Sequence, residues 1–256
     1  MSGAICATVA TGVLRVTIDR AEKRNALSRA LLAELREAFE RHAGDETLGV
    51  AVLTAAGERN FAAGGDLGDL ATIRTREGAV EMAQQARAAL DAVRRFPVPV
   101  VAALNGVALG GGAELALACD LRIAAAHAGI GFVQGQLNIS TAWGGGIDLM
   151  RLLGSARALA VLGRGAVLGA EEARSLGLVD AVAAGGERFE DFVARFIAPL
   201  ARQAPQVMRA FKAQALAERL GAPRAEREAI EARLFSVAWV HEDHWAAVDR
   251  LLARPR

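Results

Sequence analysis

A glutamate inside an apolar helix, just after three glycines, has the clearest chemical potential in this sequence. Glu114 follows Gly110-Gly111-Gly112 and is flanked by Ala113, Leu115 and Ala116. The first N–H groups of a helix lack carbonyl partners within it and carry partial positive charge. Glycine at that point lets a ligand approach without a Cβ in the way. A second glycine-rich turn, Phe61-Ala62-Ala63-Gly64-Gly65-Asp66-Leu67, also follows an apolar run. Two such N–H donors aimed at one oxygen form an oxyanion hole, which binds more strongly as negative charge develops. Glu114 falls one helical turn beyond Gly111, on the same side, where its carboxylate can face the carbon beside a held carbonyl. Each feature also has a plainer reading. The glycines can serve tight strand-to-helix turns, and Glu114 can complement the positive end of its helix. Asp66 reads as a helix cap rather than a reacting group.

The elements that would position these residues follow from the hydrophobic pattern. Val13 to Ile18 alternates as a half-exposed strand, and Ser28 caps a helix running to about His42. Gly49 to Thr54 is apolar enough for a strand buried on both faces. A polar helix from about Ala79 to Arg95 ends at Pro97, and Val98 to Leu104 is the next buried strand. Asn105-Gly106 turns, the triple-glycine helix ends before Asp120, and Leu121 to Ala125 is another strand. Gly144-Gly145-Gly146 precedes a further helix. Strand, glycine loop and helix therefore recur at intervals of roughly 50 residues, as in a repeated ββα unit. From about Phe189 onward helices dominate, most clearly over Ala201 to Gly221 and Arg224 to Val240. The pattern predicts an α/β core over 1–195 and a helical C-terminal region over 196–256.

Composition removes several classes of function. Apolar residues make up 53%, charged residues 23%, and the net charge is +1, so no global field draws in nucleic acid or an acidic membrane. Cys6 and Cys119 sit in apolar surroundings without ligand-like spacing, which reads as two buried, reduced thiols in a cytoplasmic protein. Neither a secretory signal pattern nor an apolar run long enough for a membrane span is visible. Tyrosine is absent, which excludes a phenol as acid. The sequence has neither a P-loop nor a GxSxG elbow. His241-Glu242-Asp243-His244 lacks the HExxH spacing and a third ligand.

Beyond these residue-level readings lies a resemblance. The loop Phe61–Leu67 looks like the first signature of the crotonase (enoyl-CoA hydratase/isomerase) family. The segment Asn105-Gly106-Val107-Ala108-Leu109-Gly110-Gly111-Gly112-Ala113-Glu114-Leu115 looks like its second, and Asn25-Ala26-Leu27-Ser28 resembles the family's N-terminal segment beside coenzyme A. All three stand in family order, and the similarity continues to about Arg254. The resemblance implies a crotonase-like spiral of ββα units with a helical C-terminal region that covers the site and builds a homotrimer or homohexamer. It implies an acyl-CoA substrate, with coenzyme A as part of that substrate and no further cofactor. The N–H groups of Gly65 and Gly111 would hold the thioester oxygen, and Glu114 would be the catalytic glutamate. Backbone near Ala63 and Leu67 would meet the adenine, with Asp66, Ala26 and Leu27 close by. Arg24, Arg250 and Arg254 are candidates for the phosphates.

Two departures from the family pattern bear on the reaction. Hydratases of the family carry a second glutamate downstream, and Gln136 falls at the aligned position, within Phe132-Val133-Gln134-Gly135-Gln136. Glutamine can orient water but cannot exchange protons at neutral pH, so water addition by two carboxylates is in doubt. Phe132-Val133, with Trp143-Gly144-Gly145 after it, and the late Leu234-Phe235 and Trp239 are similar to the ethylmalonyl-CoA decarboxylase branch. Decarboxylation needs an oxyanion hole, an apolar wall and a proton source. Trp143 suits that wall, and equally an ordinary core position. The expected function is an acyl-CoA lyase that decarboxylates a 2-alkylmalonyl-CoA or hydrates a 2-enoyl-CoA through Glu114. A coenzyme A-binding protein without turnover is the alternative from another class.

Overall fold

The computed structural model describes residues 4–253, so Arg254 lies outside the described residues. The chain opens with a hairpin, β1 (Ile5–Ala10) and β2 (Val13–Ile18), paired antiparallel. Leu14, Val16 and Ile18 are fully buried while Val13, Arg15 and Thr17 are half-buried, the period of two that the sequence predicted for this strand. β1 is an additional edge strand. Its Ile5 and Ala7 lean on the core and Cys6 faces outward, which corrects the expectation of a buried thiol at that position. Cys119 is buried, and burial pushes its thiol up to about 12.

Helix α1 (Arg29–His42) starts where Ser28 Oγ accepts the Leu31 N–H at 3.2 Å, a cap that typically contributes about 1 kcal/mol. Its apolar face, including Leu31, Leu35 and Phe39, is buried. Next come β3 (Val50–Ala55), β4 (Asn60–Ala62), the short α2 (Leu67–Leu70) and α3 (Arg76–Arg94). Thr75 caps α3 through its hydroxyl, so the helix begins one turn before the predicted Ala79. The second turn of the spiral is β5 (Val100–Leu104), β6 (Val107–Leu109) and α4 (Gly111–Ala118). The third is β7 (Leu121–Ala124), β8 (Gly129–Gly131) and α5 (Gly145–Leu153).

Each turn gives its first strand to one sheet and its second to another. The larger sheet has the order β1-β2-β3-β5-β7-β10, parallel from β2 onward. The smaller has the order β4-β6-β8-β9, closed by an antiparallel β8/β9 pair. The remaining elements of this part are α6 (Ser155–Arg164), β9 (Val167–Gly169), α7 (Ala170–Ser175) and β10 (Ala181–Val182). Because β3 and β5 lie inside the sheet with both faces covered, their residues are buried throughout, which explains their unbroken apolar runs.

Helix α8 (Phe189–Ala201) lays Phe192 and Val193 on Val50, Val52, Val101 and Ile123, the sheet face opposite the main core. Residue 195 falls within this helix. Three helices follow: α9 (Pro205–Arg219), α10 (Arg224–Val240) and α11 (Glu242–Leu252). None of the described helices is long and apolar enough to cross a membrane.

Candidate active site

The two glycine loops sit at the ends of β4 and β6, neighbouring strands of the smaller sheet, and this adjacency brings them together. The segment around Asn25 is threaded alongside the first loop. Leu27 N–H donates to Gly64 O at 2.8 Å, Asp66 N–H to Leu27 O at 3.0 Å, and Ala63 N–H to Arg24 O at 3.1 Å. Asn25, buried and in the left-handed region at φ 54°, fixes this strip. Its Nδ2 donates to Ala56 O and Asn60 O, and its Oδ1 accepts the Arg20 N–H. Asp66 caps α2 by accepting from the Gly68 and Asp69 N–H groups, and its other oxygen accepts from Arg20 Nη1 at 2.6 Å. The Arg20 hydrogen bond, with help from those backbone donors, holds the Asp66 carboxyl below the usual carboxylate range. Its role is to fix the loop, as its position in the sequence suggested.

A cavity of about 510 Å³ opens beside these loops. Arg24, Ala26, Ala63, Gly65, Asp66, Leu67, Gly111, Glu114 and Trp143 all line it. The Trp143 indole packs on both candidate oxyanion glycines. A Cβ at Gly65 would lie 3.6 Å from Cη2, and one at Gly111 only 2.6 Å from the same atom and 2.3 Å from Cζ3. Gly111 is therefore required by the approach of the ring, while the turn itself needs glycine at Gly110, at φ +51°. As the first residue of α4, Gly111 has an N–H with no carbonyl of its own helix to bond. The Gly65 N–H is absent from the backbone bonds that fix its loop among the described residues. The cavity thus has two backbone donors bordering one tryptophan ring.

Glu114 is 2% exposed. Its Oε2 accepts the N–H groups of Trp143 at 2.9 Å and Gly145 at 2.8 Å, and its Oε1 accepts from Gln134 Nε2 at 3.1 Å. Burial raises its pKa, and the backbone donors of Gly145 and Trp143 partly oppose that rise. A Cβ at Gly145 would fall 2.4 Å from Glu114 Cγ, so this glycine is what allows the carboxylate to lie against the loop. Such a group keeps its proton to higher pH than an ordinary carboxyl, and its place on the cavity wall suits it to proton exchange with a bound molecule.

One residue expected to act at the site lies elsewhere. Gln136 is exposed and donates from Nε2 to Gly165 O at 2.8 Å, away from the cavity. The glutamine beside Glu114 is Gln134, which sequence reasoning passed over. Residues 134–137 form a 3-10 turn, in which successive side chains rotate by about 120°, so positions two apart diverge. Gln134 lines the cavity, is 9% exposed, and leaves its Oε1 buried without a partner. Leu27 is fully buried, and it borders the site through backbone rather than side chain. At the mouth, Lys23 joins Arg24. Among the described residues no group of three or more His, Cys, Asp or Glu side chains is placed to hold a metal ion.

Spiral core, paired glycine loops and enclosed glutamate together define a protein of the crotonase fold. The family model for enoyl-CoA hydratase/isomerase matches residues 8–251, and the chain belongs to that family. It is 39% identical over 183 residues to an enoyl-CoA isomerase/hydratase of Mycosarcoma maydis, covering 68% of this chain and 66% of the relative. It is 36% identical over 171 residues to the mitochondrial methylglutaconyl-CoA hydratase of Rattus norvegicus, covering 67% of this chain and 54% of that protein. The chain thus spans between about half and two thirds of the length of these curated relatives. The crystal structure of an enoyl-CoA hydratase from Bacillus anthracis superposes with a TM-score of 0.89 at 31% identity, over 97% of this chain and 95% of that one.

Proposed function

We propose that this protein is an acyl-CoA lyase that holds a thioester enolate between the amides of Gly65 and Gly111, and that its reaction is decarboxylation of a 2-alkylmalonyl-CoA. The observation that carries this reading is the pair Glu114–Gln134: the one buried carboxylate of the cavity has an uncharged amide, not a second acid or base, as its side-chain partner. In the decarboxylation, the bond from C2 to the carboxylate breaks and carbon dioxide leaves. Its electron pair passes to the thioester oxygen, where each amide supplies roughly 3 kcal/mol as charge develops. C2 then takes a proton from Glu114, which is replenished from water. One proton carrier suffices, and burial keeps Glu114 protonated at higher pH than an ordinary carboxyl. Trp143 provides an apolar wall in which a substrate carboxylate is poorly solvated.

Hydration of a 2-enoyl-CoA is the second reading, favoured by relatives that carry the name hydratase. Glu114 would then serve as both base and acid, with Gln134 orienting the water. In either case coenzyme A arrives with the substrate, its phosphates near Lys23 and Arg24 at the mouth and its adenine near the backbone of Ala63 and Leu67. We place the protein in the cytoplasm as a homotrimer or homohexamer. Incubation with ethylmalonyl-CoA and, separately, with crotonyl-CoA tests the assignment. Carbon dioxide release from the first supports decarboxylation. Loss of enoyl absorbance with the second alone replaces it by hydration, and binding without turnover of either refutes both.

A further inference from the structure

We propose that Arg94 is a positioning residue for Glu114, acting through an Arg94–Asp148–Arg219 cluster that holds the loop and the helix on either side of the carboxylate. In its catalytic consequence this rests on the role given to Glu114 above. The geometry stands on its own.

The two N–H groups on Glu114 Oε2 belong to Trp143 and Gly145, in an irregular stretch before α5. Between those two donating peptides lies the one carrying the Trp143 carbonyl, and that carbonyl accepts from Arg94 Nη2 at 3.0 Å. Arg94 thus grips the middle peptide of the three. Gly144, at φ +96°, admits the guanidinium, for a Cβ there would lie 2.8 Å from Nη2. The guanidinium is committed on its other edges as well. Nε donates to Asp148 Oδ2 at 2.8 Å and Nη1 to Asp91 Oδ1 at 2.7 Å, and the residue is 7% exposed.

Asp148 carries the connection onward. Its Oδ1 accepts from Arg219 Nε at 3.0 Å. Arg219 in turn donates to Ala118 O at 3.0 Å and Leu117 O at 2.5 Å, the last carbonyls of α4, the helix that bears Gly111 and Glu114. One carboxylate therefore ties the guanidinium holding the donor loop to the guanidinium holding the acceptor helix. A planar fork with several fixed donors can satisfy such a set of acceptors, whereas a lysine ammonium is a single point and cannot. Burying the Arg94 charge is costly unless it is paired, and here it meets Asp91 and Asp148, the latter half-buried with Arg219.

Arg94→Lys tests the role, with Glu114→Gln to identify the Glu114 signal. The first readout needs no substrate: titration of the Glu114 carboxyl followed by its infrared band or by carbon NMR. With the N–H donors less well aimed, the ionised form loses support, so the titration should move up by about half a pH unit or more. With whichever acyl-CoA proves to be the substrate, kcat should fall roughly tenfold or more while KM stays within about threefold. If Arg94→Lys does not fold, Asp148→Asn keeps the shape, removes the shared charge and carries the same expectation. A lowered melting temperature with unchanged Glu114 titration and unchanged kcat would reduce the cluster to a structural salt bridge and overturn the proposal. Should the wild type turn over no acyl-CoA, the functional reading fails while the titration still decides the positioning.

Discussion

Removing the negative charge at Glu114 while keeping its shape separates chemistry from packing, because the surroundings can accept an amide. In Glu114→Gln the amide oxygen can still take the Trp143 and Gly145 N–H groups, and its NH2 can face the unpartnered Oε1 of Gln134 once that side chain flips. Turnover should drop by about two orders of magnitude or more, the usual range for an acid–base group. Stability should respond oppositely. The folded-state pKa of Glu114 is raised, so between the ordinary value of 4.5 and the higher folded value the native state binds more protons than the unfolded one. Wild-type stability therefore falls across that window as pH rises, and Glu114→Gln escapes the fall. Denaturant melts of both proteins at several pH values give the comparison; a difference that does not grow with pH would contradict the buried, destabilised carboxylate. Gln134→Glu makes the complementary change. It sets a second carboxyl beside the first, so one of them becomes harder to ionise, and a decarboxylase should lose rate while any hydration of crotonyl-CoA rises. A substitution with no effect on either reaction would remove Gln134 from the site.

At the scale of elements, the site is an arrangement of strand ends and helix starts. β4 and β6 bring the glycine loops together, α4 presents Gly111 and Glu114 one turn apart, and the loop before α5 closes over the carboxylate. The first two parts were legible because two glycine loops and a nearby carboxylate stand together in the order of the family signatures, where either loop alone could serve only a turn, and because Glu114 interrupts an otherwise apolar helix. Gln134 was not, since the direction of a side chain in a 3-10 turn depends on where the turn begins, and the family pattern drew the reading to Gln136, whose side chain turns away from the cavity. Arg94 could not be found at all: beyond the local Asp91, the partners that link it to the site are brought by tertiary packing, the Trp143 carbonyl from 49 residues away and Asp148 from 54. Strand β1 went unread because Ile5 and Val9 are its only large apolar residues, although Thr11-Gly12, both at positive φ, mark the hairpin turn. The closing loop yields its own prediction. Gly145→Ala places a methyl 2.7 Å from Glu114 Cα, a backbone neighbour that cannot swing aside. The loop must lift, taking a donor from Oε2, so kcat should fall about tenfold or more with acyl-CoA affinity nearly preserved. Steady-state kinetics beside binding of a non-reactive acyl-CoA analogue would show the split; equal losses in both would point to a collapsed pocket instead.

On the scale of the whole molecule, the C-terminal helices present an imbalance that a lone chain does not explain. Neither α10 nor α11 has a buried residue, although they carry Phe235, Trp239, Trp245, Leu251 and Leu252. Phe235 and Trp239 stand 5.4 Å apart between ring centroids, and Trp239 and Trp245 meet edge to face at 5.8 Å, yet all three remain about half exposed or more. Contiguous aromatic surface of this kind marks a protein–protein contact. Copies of the same chain are the simplest partner, in keeping with the trimer or hexamer proposed above. Sedimentation equilibrium should then give three or six chain masses at micromolar concentration. Phe235→Asp together with Trp245→Asp should shift the distribution toward single chains, because aspartates in a desolvated aromatic contact lose hydration without gaining a partner. The double variant leaves the residues around Glu114 in place, so the Glu114 titration ought to survive dissociation if assembly only covers the helices. Were it to vanish with the oligomer, a neighbouring copy would be needed to complete the cavity. Were the double variant to sediment like the wild type, this aromatic face would not be where the chains meet.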